Sequence, residues 1–326
     1  MKGTGVWRVS SVFSLGLAIL LALSPVAFGQ QYPSRPISLI LPAAVGVPAD
    51  LLSRIFAEHL RQKLGVPVIV ENVTGGQGLI GTQRVMNSRS DGYTFLIAPA
   101  GLVTTPHVVS NAGYKASDFI PIAALAQVPY VLFASSSVTA TDIPSFISYL
   151  KSNSKDVNSG LLTTSYLSTL LSRKIGALAG VELTEIGYRG SSDMIKALIT
   201  NDIQFMATAH SVAAPYLESG KIKAIGALAD DRNGNLPNVA TFKEKGYPSV
   251  KLIIWIALFA RSDSPPDVLA VARRAANEVV KDASFQKVIG STGMDPWPIA
   301  VEDLPAYIDS EVKEFVDDAK RYKLNP

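Results

Sequence analysis

The chain of 326 residues contains 30 lysine and arginine residues, 27 aspartate and glutamate residues and no cysteine. This near balance of charge argues against a nucleic-acid surface or a polybasic membrane face, because both require clustered positive charge. Without cysteine the chain has no disulfide, thiol nucleophile, thiolate metal site or lipid-bearing N-terminal cysteine. Any binding of anions must therefore be local.

The first 29 residues have the order of a secretory signal peptide. Lys2 and Arg8 precede the apolar run VFSLGLAILLAL, and the pattern Ala27-Phe28-Gly29, with small residues at its two ends, supplies a cleavage site. The alternative is an uncleaved membrane anchor, but the apolar run is short for a bilayer span of about 20 residues and Pro25 interrupts its end. We therefore expect cleavage after Gly29 and export of the mature chain.

The next part of the chain alternates strand and helix patterns. Its predicted elements are strands at 37–42, 67–72 and 93–98 and helices at 50–64 and about 79–88. Asp50 is predicted to cap the first helix at its start and Gly65 to stop it. This β-α-β-α-β order predicts a parallel, doubly wound sheet with right-handed crossovers.

The pattern changes at residue 119. Two β runs, 119–126 and 130–134, are separated by only three residues, and another long β run covers 252–260. The remaining predictions are strands at 182–187, 202–208 and 221–228 and helices at 142–153, 165–179, 191–200, 211–219, 265–282, 283–291 and 301–322. We infer an α/β fold with two domains joined by two crossing strands. Domain I comprises residues 30–128 plus 254–326 and domain II residues 129–253, with a ligand expected in the cleft between them.

A glycine-rich stretch, Gly76 to Gly81, matches the dinucleotide pattern G-x-G-x-x-G after a strand. That site also requires an acidic residue for the ribose after the next strand, and residues 92–116 contain neither Asp nor Glu. We therefore favour glycines that allow a tight turn and close helix packing over a dinucleotide site, and we expect no cofactor.

Candidates for catalysis are few. The three histidines are His59 within the first helix, His107 after a strand and His210 just beyond the strand end DIQFMATA. No G-x-S-x-G elbow and no HExxH pair is present. We predict no catalytic residue and no metal site, and an exported hydrolase that uses His210 or His107 is the alternative.

Four turns rich in small and hydroxyl residues follow predicted strands or precede predicted helices, at 42–49, 98–105, 162–165 and 188–192. Ligands of open α/β sheets gather at the carboxyl ends of strands, where we expect these turns to lie. The first turn has no side chain that could carry chemistry, so its useful groups are backbone amides beside the positive end of a helix. The sequence therefore predicts a site for a small anion.

Several segments together resemble one family. They are YPSRPISLILPAAVGVPADLLSRIFAEHL with its continuation to residue 85, SDGYTFLIAPAG, IGYRGSSDMIKALITNDIQFM, LESGKIKAIGALA and LPNVATFKEKGYP. In order and over essentially the whole mature chain, they resemble the Bug family, the substrate-binding proteins of tripartite tricarboxylate transporters. The resemblance implies a periplasmic, monomeric Venus flytrap that closes on a small carboxylate and delivers it to a membrane permease. It also implies a packing role for the glycine-rich stretch.

The resemblance implies a binding site between the two domains, with the first turn holding a ligand carboxylate through amides and ordered water. The expected contacts are Ala44, Gly46, Ala49, Thr104, Thr105, Thr163, Thr164, Ser165, Tyr188, Arg189, Thr208 and His210.

The chain departs from the family pattern at positions that bear on the ligand. Val47 replaces a glycine of the first turn, and Ala43 stands where an aromatic residue is usual. Thr208 stands where many members have Asp, which argues against a ligand with an ammonium group. Leu161 and Leu162 make their turn less polar than is usual in the family. We expect a dicarboxylate or an aromatic carboxylate without an amino group, and a ligand-sensing module without transport is a further alternative.

Overall fold

The computed structural model describes residues 32–163, 165–297 and 299–324. The predicted signal peptide and its cleavage site lie outside these residues, as does Thr164. Within the described ranges, no helix has both the length and the apolar composition needed to cross a bilayer. Residues 35–326 group into one unit by their contacts, so the expected division into domains I and II stays a prediction.

Ten strands form one mixed sheet within the described part of the chain. They are β1 Ile37–Leu41, β2 Val68–Asn72, β3 Thr94–Pro99, β4 Phe119–Ser135, β5 Asn158–Leu162, β6 Thr184–Tyr188, β7 Phe205–Ala209, β8 Ile222–Ala227, β9 Ile253–Arg261 and β10 Asp295–Pro296. Their order is β2-β1-β3-β9-β4-β7-β5-β6, and β8 and β10 also pair with β4. Pairing is parallel from β1 to β2 and β3 and from β5 to β6 and β7, whereas all pairings of β4 and β9 are antiparallel.

The helices that flank the sheet follow the predicted order. They are α1 Pro48–Leu64, α2 Leu79–Met86, α3 Gly101–Thr104, α4 Ile143–Ser152, α5 Tyr166–Ala179, α6 Ser191–Ile199, α7 His210–Glu218, α8 Pro266–Val280, α9 Ala283–Ser291 and α10 Leu304–Arg321. Strand β1 shows why both faces are covered. Leu39 packs in a core with α1, α8 and α9, while its neighbour Ile40 packs in a core with α2 and α10. Burial on both faces explains the continuous apolar run of this strand.

Strand β4 corrects the prediction of two separate β runs. It continues for 17 residues through Pro129. Its ladder with β9 has register irregularities near Pro121 and Ala124, so the strand bends instead of ending. Its first part pairs with β9 and β10, and its last part pairs with β7 and β8. The sheet thus has two parts, one with β1, β2, β3, β9 and β10 and the other with β5, β6, β7 and β8. Strand β4 runs through both parts.

Two local predictions were wrong. Helix α1 begins at Pro48 with Val47 as its N-cap. Asp50 lies within the first turn of this helix and does not cap the helix. Proline suits the first helical position because that residue needs no N–H partner. Residues 158–162 form strand β5, which the sequence analysis did not predict. The predicted stop at Gly65 is confirmed, since this residue has a left-handed conformation with φ 70°.

Candidate functional site

A cavity of about 450 Å³ lies where the four predicted turns meet. The turns after β1, β3, β5 and β6 all contribute to its wall. The carboxyl ends of the parallel strands in both parts of the sheet therefore face one space, which we call the apolar cavity.

The floor of the apolar cavity is formed by the crossing strands. Val128 and Tyr130 of β4 and Leu252, Ile254 and Ile256 in and before β9 line it. These residues alternate along each strand, and Val128 lies opposite Ile254 in the ladder, so their side chains share one face of the sheet. This floor carries aliphatic groups and a single hydroxyl, that of Tyr130.

The first turn is held by a hydrogen-bond network around Asp50, which is 4% exposed. Its carboxylate accepts bonds from the Gly46 N–H at 3.0 Å, from Arg54 Nε at 3.2 Å and from Asn72 Nδ2 at 2.9 Å. The Asn72 amide also donates to the Ala43 carbonyl at 3.1 Å. Burial acts to raise the pKa of Asp50, but the bonds from Arg54, Gly46 and Asn72 outweigh it and hold that pKa below its usual value. The turn is thus tied to strand β2 and helix α1.

The same network engages one amide of the turn and leaves two without a partner among the described residues. The Gly46 N–H is engaged by Asp50, and Gly46 does not line the apolar cavity, unlike Ala44 and Ala49. Among the described residues, the N–H groups of Ala44 and Ala49 have no hydrogen-bond partner. The left-handed conformation falls on Gly46 with φ 84°, whereas Val47 has φ −80°. Valine at position 47 therefore causes no backbone strain, and it lines the cavity.

The turn after β3 contributes the two predicted threonines, and their hydroxyls differ. Thr104 Oγ1 donates to the Ala100 carbonyl at 3.2 Å. The Thr105 hydroxyl has no hydrogen-bond partner among the described residues. Both residues line the cavity and are almost fully buried. Thr105 is therefore the better donor to a ligand.

The turn after β5 brings Ser165 to the cavity but not Thr163. Ser165 is the N-cap of α5, and its side chain makes no capping bond. Thr163 is used in the protein itself, because both its N–H, at 2.9 Å, and its hydroxyl, at 3.2 Å, donate to the Tyr188 carbonyl. Thr164 lies outside the described residues.

The turn after β6 supplies the one cation that lines the apolar cavity in the described part of the chain, Arg189. This arginine is exposed and makes no ion pair or hydrogen bond with another described residue. Tyr188 does not line the cavity and packs against the core that contains Met194. Burial, with a smaller contribution from Asp202, raises the pKa of the Tyr188 hydroxyl.

The last two predicted contacts lie away from the cavity wall. Thr208 is 1% exposed, and its hydroxyl donates at 3.1 Å to Ser191 Oγ, which does line the cavity. His210 begins α7 and is half-buried; burial lowers its pKa, and Glu218 partly offsets this effect. Thr208 can therefore act on a ligand only through Ser191, and His210 has no described contact with the site.

Several lining residues were not among the expected contacts, although Ser191 lies within the predicted turn at 188–192. They are Thr74, Gly75, Gln77, Tyr114, Tyr130, Tyr166, Ser168 and Ser191. The glycine-rich stretch does serve a tight turn, with Gly75 at φ 119°, and close packing, since a Cβ on Gly81 would lie 2.7 Å from Pro42 Cβ. It also forms part of the cavity wall. Its position after a strand, like that of the four turns, was the available signal.

The charge of the lining separates this cavity from a second one of about 330 Å³, the charged cavity. No acidic residue lines the apolar cavity among the described residues. The charged cavity lies against the alternate face of the crossing strands, with Gln127, Pro129 and Ile253, and six carboxylates and three cations line it. There the Lys174 ammonium pairs with the Asp318 carboxylate. An anion would be repelled there and accepted in the apolar cavity.

The described residues contain no group of three or more His, Cys, Asp or Glu side chains that could hold a metal ion. Hydroxyls, amides and one guanidinium in the apolar cavity can bind an anion by hydrogen bonds alone. A cavity at the carboxyl ends of strands in both parts of a sheet, with two crossing strands as its floor, is typical of solute-binding proteins.

Comparisons with known proteins agree with this class. The sequence profile described as "Tripartite tricarboxylate transporter family receptor" matches residues 52–317, and the chain belongs to this family. The protein BugT of Bordetella pertussis is 26% identical over 315 residues, which cover 94% of this chain and 95% of BugT. The resemblance to the Bug family is thereby confirmed, and the chain is a receptor and not an enzyme.

Solved structures confirm the predicted fold class of periplasmic binding proteins. The periplasmic binding protein BugD has a TM-score of 0.79 and 28% identity, over 90% of this chain and 99% of that one. MatC from Rhodopseudomonas palustris with bound malate has a TM-score of 0.76 at 24% identity, over 88% of this chain and 99% of that one. An R. palustris protein with adipate has a TM-score of 0.80 at 24% identity, over 90% and 98%. The last two likenesses concern the fold alone.

Proposed function

We propose that the chain is a periplasmic receptor that captures a small organic carboxylate in the apolar cavity and delivers it to a membrane permease. The observation that carries this proposal is the lining of that cavity. It combines unpartnered N–H and O–H donors and one unpaired arginine with an apolar floor, and it contains no described acidic residue. Membership of the tripartite tricarboxylate transporter receptor family supports both the partner and the ligand class, and two proteins of the same fold hold the carboxylates malate and adipate.

We assign the ligand contacts to both sides of the cavity. The amides of Ala44 and Ala49 and the hydroxyl of Thr105 hold one carboxylate from one side. Ser165 and Arg189 approach from the turns after β5 and β6. Closure of the two predicted domains would bring these groups together, and the closed form is the one that docks on the permease.

We further propose that the ligand carries no ammonium group next to its carboxylate. An ammonium group next to the carboxylate is best compensated by a carboxylate, and no described acidic side chain lines the cavity, where only neutral hydroxyl and carbonyl oxygens could accept from it. The preferred ligand is therefore a dicarboxylate or an aromatic carboxylate that lacks an amino group.

Matched pairs of acids test this proposal by isothermal titration. We expect succinate, glutarate and phenylpropionate to bind more tightly than aspartate, glutamate and phenylalanine, which add only an ammonium group. Tighter binding of the amino acids would overturn the narrower proposal, and an absence of binding to every acid, including adipate and malate, would overturn carboxylate capture itself.

A variant of Arg189 tests the assigned contacts. Removal of the charge in Arg189→Gln is expected to weaken adipate binding about 10-fold or more, because a charge-assisted hydrogen bond is lost. Arg274→Gln is the matched control, since Arg274 is also exposed but lies on α8, away from both cavities. Equal affinities of the two variants would exclude Arg189 as a contact.

A further inference from the structure

Tyr130 is the single polar group on the floor of the apolar cavity. Its neighbours there are Val128, Leu252 and Ile254, and its backbone N–H donates to the Leu252 carbonyl at 3.2 Å. Its ring packs against the cores of both parts of the sheet. The side chain is therefore fixed within the segment where the two crossing strands meet.

The Tyr130 hydroxyl has no hydrogen-bond partner among the described residues. It is also absent from the fully enclosed polar atoms without a partner, which are Ser172 Oγ, Trp255 Nε1 and Arg273 Nε, so it reaches open space. Burial raises the pKa of Tyr130 to about 12, which keeps the phenol neutral and able to donate near neutral pH.

A second tyrosine that lines the same cavity has a hydrogen-bond partner in the protein for its hydroxyl. The Tyr114 hydroxyl donates to the Leu102 carbonyl at 2.9 Å. A tyrosine hydroxyl in apolar surroundings usually has such a partner, because leaving it unpaired costs free energy. No described residue plays this part for Tyr130, and the open space next to its hydroxyl is the cavity.

We infer that the Tyr130 hydroxyl is a specificity-determining ligand contact, which donates a hydrogen bond to an acceptor group at the inner end of the bound acid. This inference rests on the proposed function, because it assumes that an organic acid occupies the apolar cavity. A second carboxylate on the acid supplies the acceptor, whereas the methyl end of a monocarboxylate of equal length does not. The bond also joins the ligand to the strands that connect the two parts of the sheet.

Adipate and hexanoate, which differ at one end only, test this contact in the full mature chain with and without Tyr130→Phe. We expect wild type to bind adipate more tightly than hexanoate. The variant should lose about 10-fold in adipate affinity and little in hexanoate affinity, as measured by titration calorimetry. Tyr149→Phe is the control, because Tyr149 is a half-buried tyrosine on α4 that lines neither cavity.

The melting temperature of the unliganded variant gives a second readout. Removal of an unpaired hydroxyl should leave that temperature unchanged or raise it, whereas loss of a structural bond would lower it. Equal weakening of both acids, unchanged adipate affinity or a clear fall in melting temperature would each overturn the inference. If wild type binds no acid at all, the proposed function fails first, so the two failures are distinguishable.

Discussion

Asp50 shows how one buried side chain can hold in place the turn that we propose binds the ligand. It accepts a hydrogen bond from the Gly46 N–H and, with Asn72, joins the turn to strand β2. Its carboxylate accepts the hydrogen bond of the Gly46 amide, whereas the amides of Ala44 and Ala49 have no partner among the described residues.

The substitution Asp50→Asn tests this role. The asparagine keeps the shape but places an amide donor among the donors of Gly46, Arg54 and Asn72. We expect the free energy of unfolding to fall by about 2 kcal/mol, the scale of a lost hydrogen bond to a buried charge, as measured by urea unfolding. Asp193→Asn is the control, because Asp193 pairs with Lys196 on the surface, where such pairs contribute little.

The difference in stability between wild type and Asp50→Asn should depend on pH. The pKa of Asp50 in the folded chain lies below its ordinary value of 3.8. The stability that its ionised form contributes is therefore fully present above that ordinary value and is lost as pH falls through the lowered folded pKa. The gap in stability between wild type and Asp50→Asn should be constant near neutral pH and narrow in acid below about pH 4. A gap that widens in acid would contradict the assignment.

Residue types could be predicted at the site, but their hydrogen-bond partners could not. Both threonines after β3 lie at the cavity as expected, yet only the structure shows that Thr104 is engaged by Ala100 while Thr105 has no described partner. Thr163 and Thr208 are likewise engaged with Tyr188 and Ser191. Such pairings depend on contacts between distant segments, which one sequence does not encode locally.

The position of helix α2 depends on Gly81, which has no side chain. A Cβ at Gly81 would lie 2.7 Å from both Pro42 Cβ and the Val73 carbonyl oxygen. The helix can therefore approach the end of β1 and the residue after β2 only with glycine here. This contact holds the glycine-rich stretch against the first turn.

Alanine at two helical glycines should affect the free energy of unfolding differently. Gly81→Ala is expected to lower the free energy of unfolding by about 1–3 kcal/mol through overpacking. Gly290→Ala in α9, where a Cβ would meet nothing within 4 Å, should leave it unchanged or raise it by about 0.5–1 kcal/mol. Urea unfolding of both variants measures the difference, and equal stability of the two would contradict the close approach at Gly81.

Element patterns were predictable where they were strong. The periodic helices and apolar strands appear close to their predicted positions, including β1, α1 and β9. Strand β5, with the sequence NSGLL, was missed because its first residues are polar or small. It is held by tertiary pairing with β6 and β7 and not by intrinsic preference. Its parallel pairing with β6 also explains why the turn after β5 lies level with the turn after β6.

At the scale of the whole molecule, the two parts of the sheet share β4. The first part of this strand lies between β9 and β10, and its last part pairs with β7 and β8. Each part has its own apolar cores, but the Tyr130 side chain packs against one core of each part. The sequence predicted crossing strands, whereas the interruption it predicted at 127–129 does not exist.

A continuous strand between two cores has a consequence for cooperativity. Unfolding either part would leave half of β4 with exposed, unpaired backbone groups, so the two parts should lose their structure together. We expect calorimetry of the chain without its predicted signal peptide to show one transition, with equal calorimetric and van't Hoff enthalpies. Adipate at 100 times its Kd should stabilise that single transition by about 2.7 kcal/mol. Two transitions, of which adipate shifts only one, would show that β4 does not transmit melting from one part to the other.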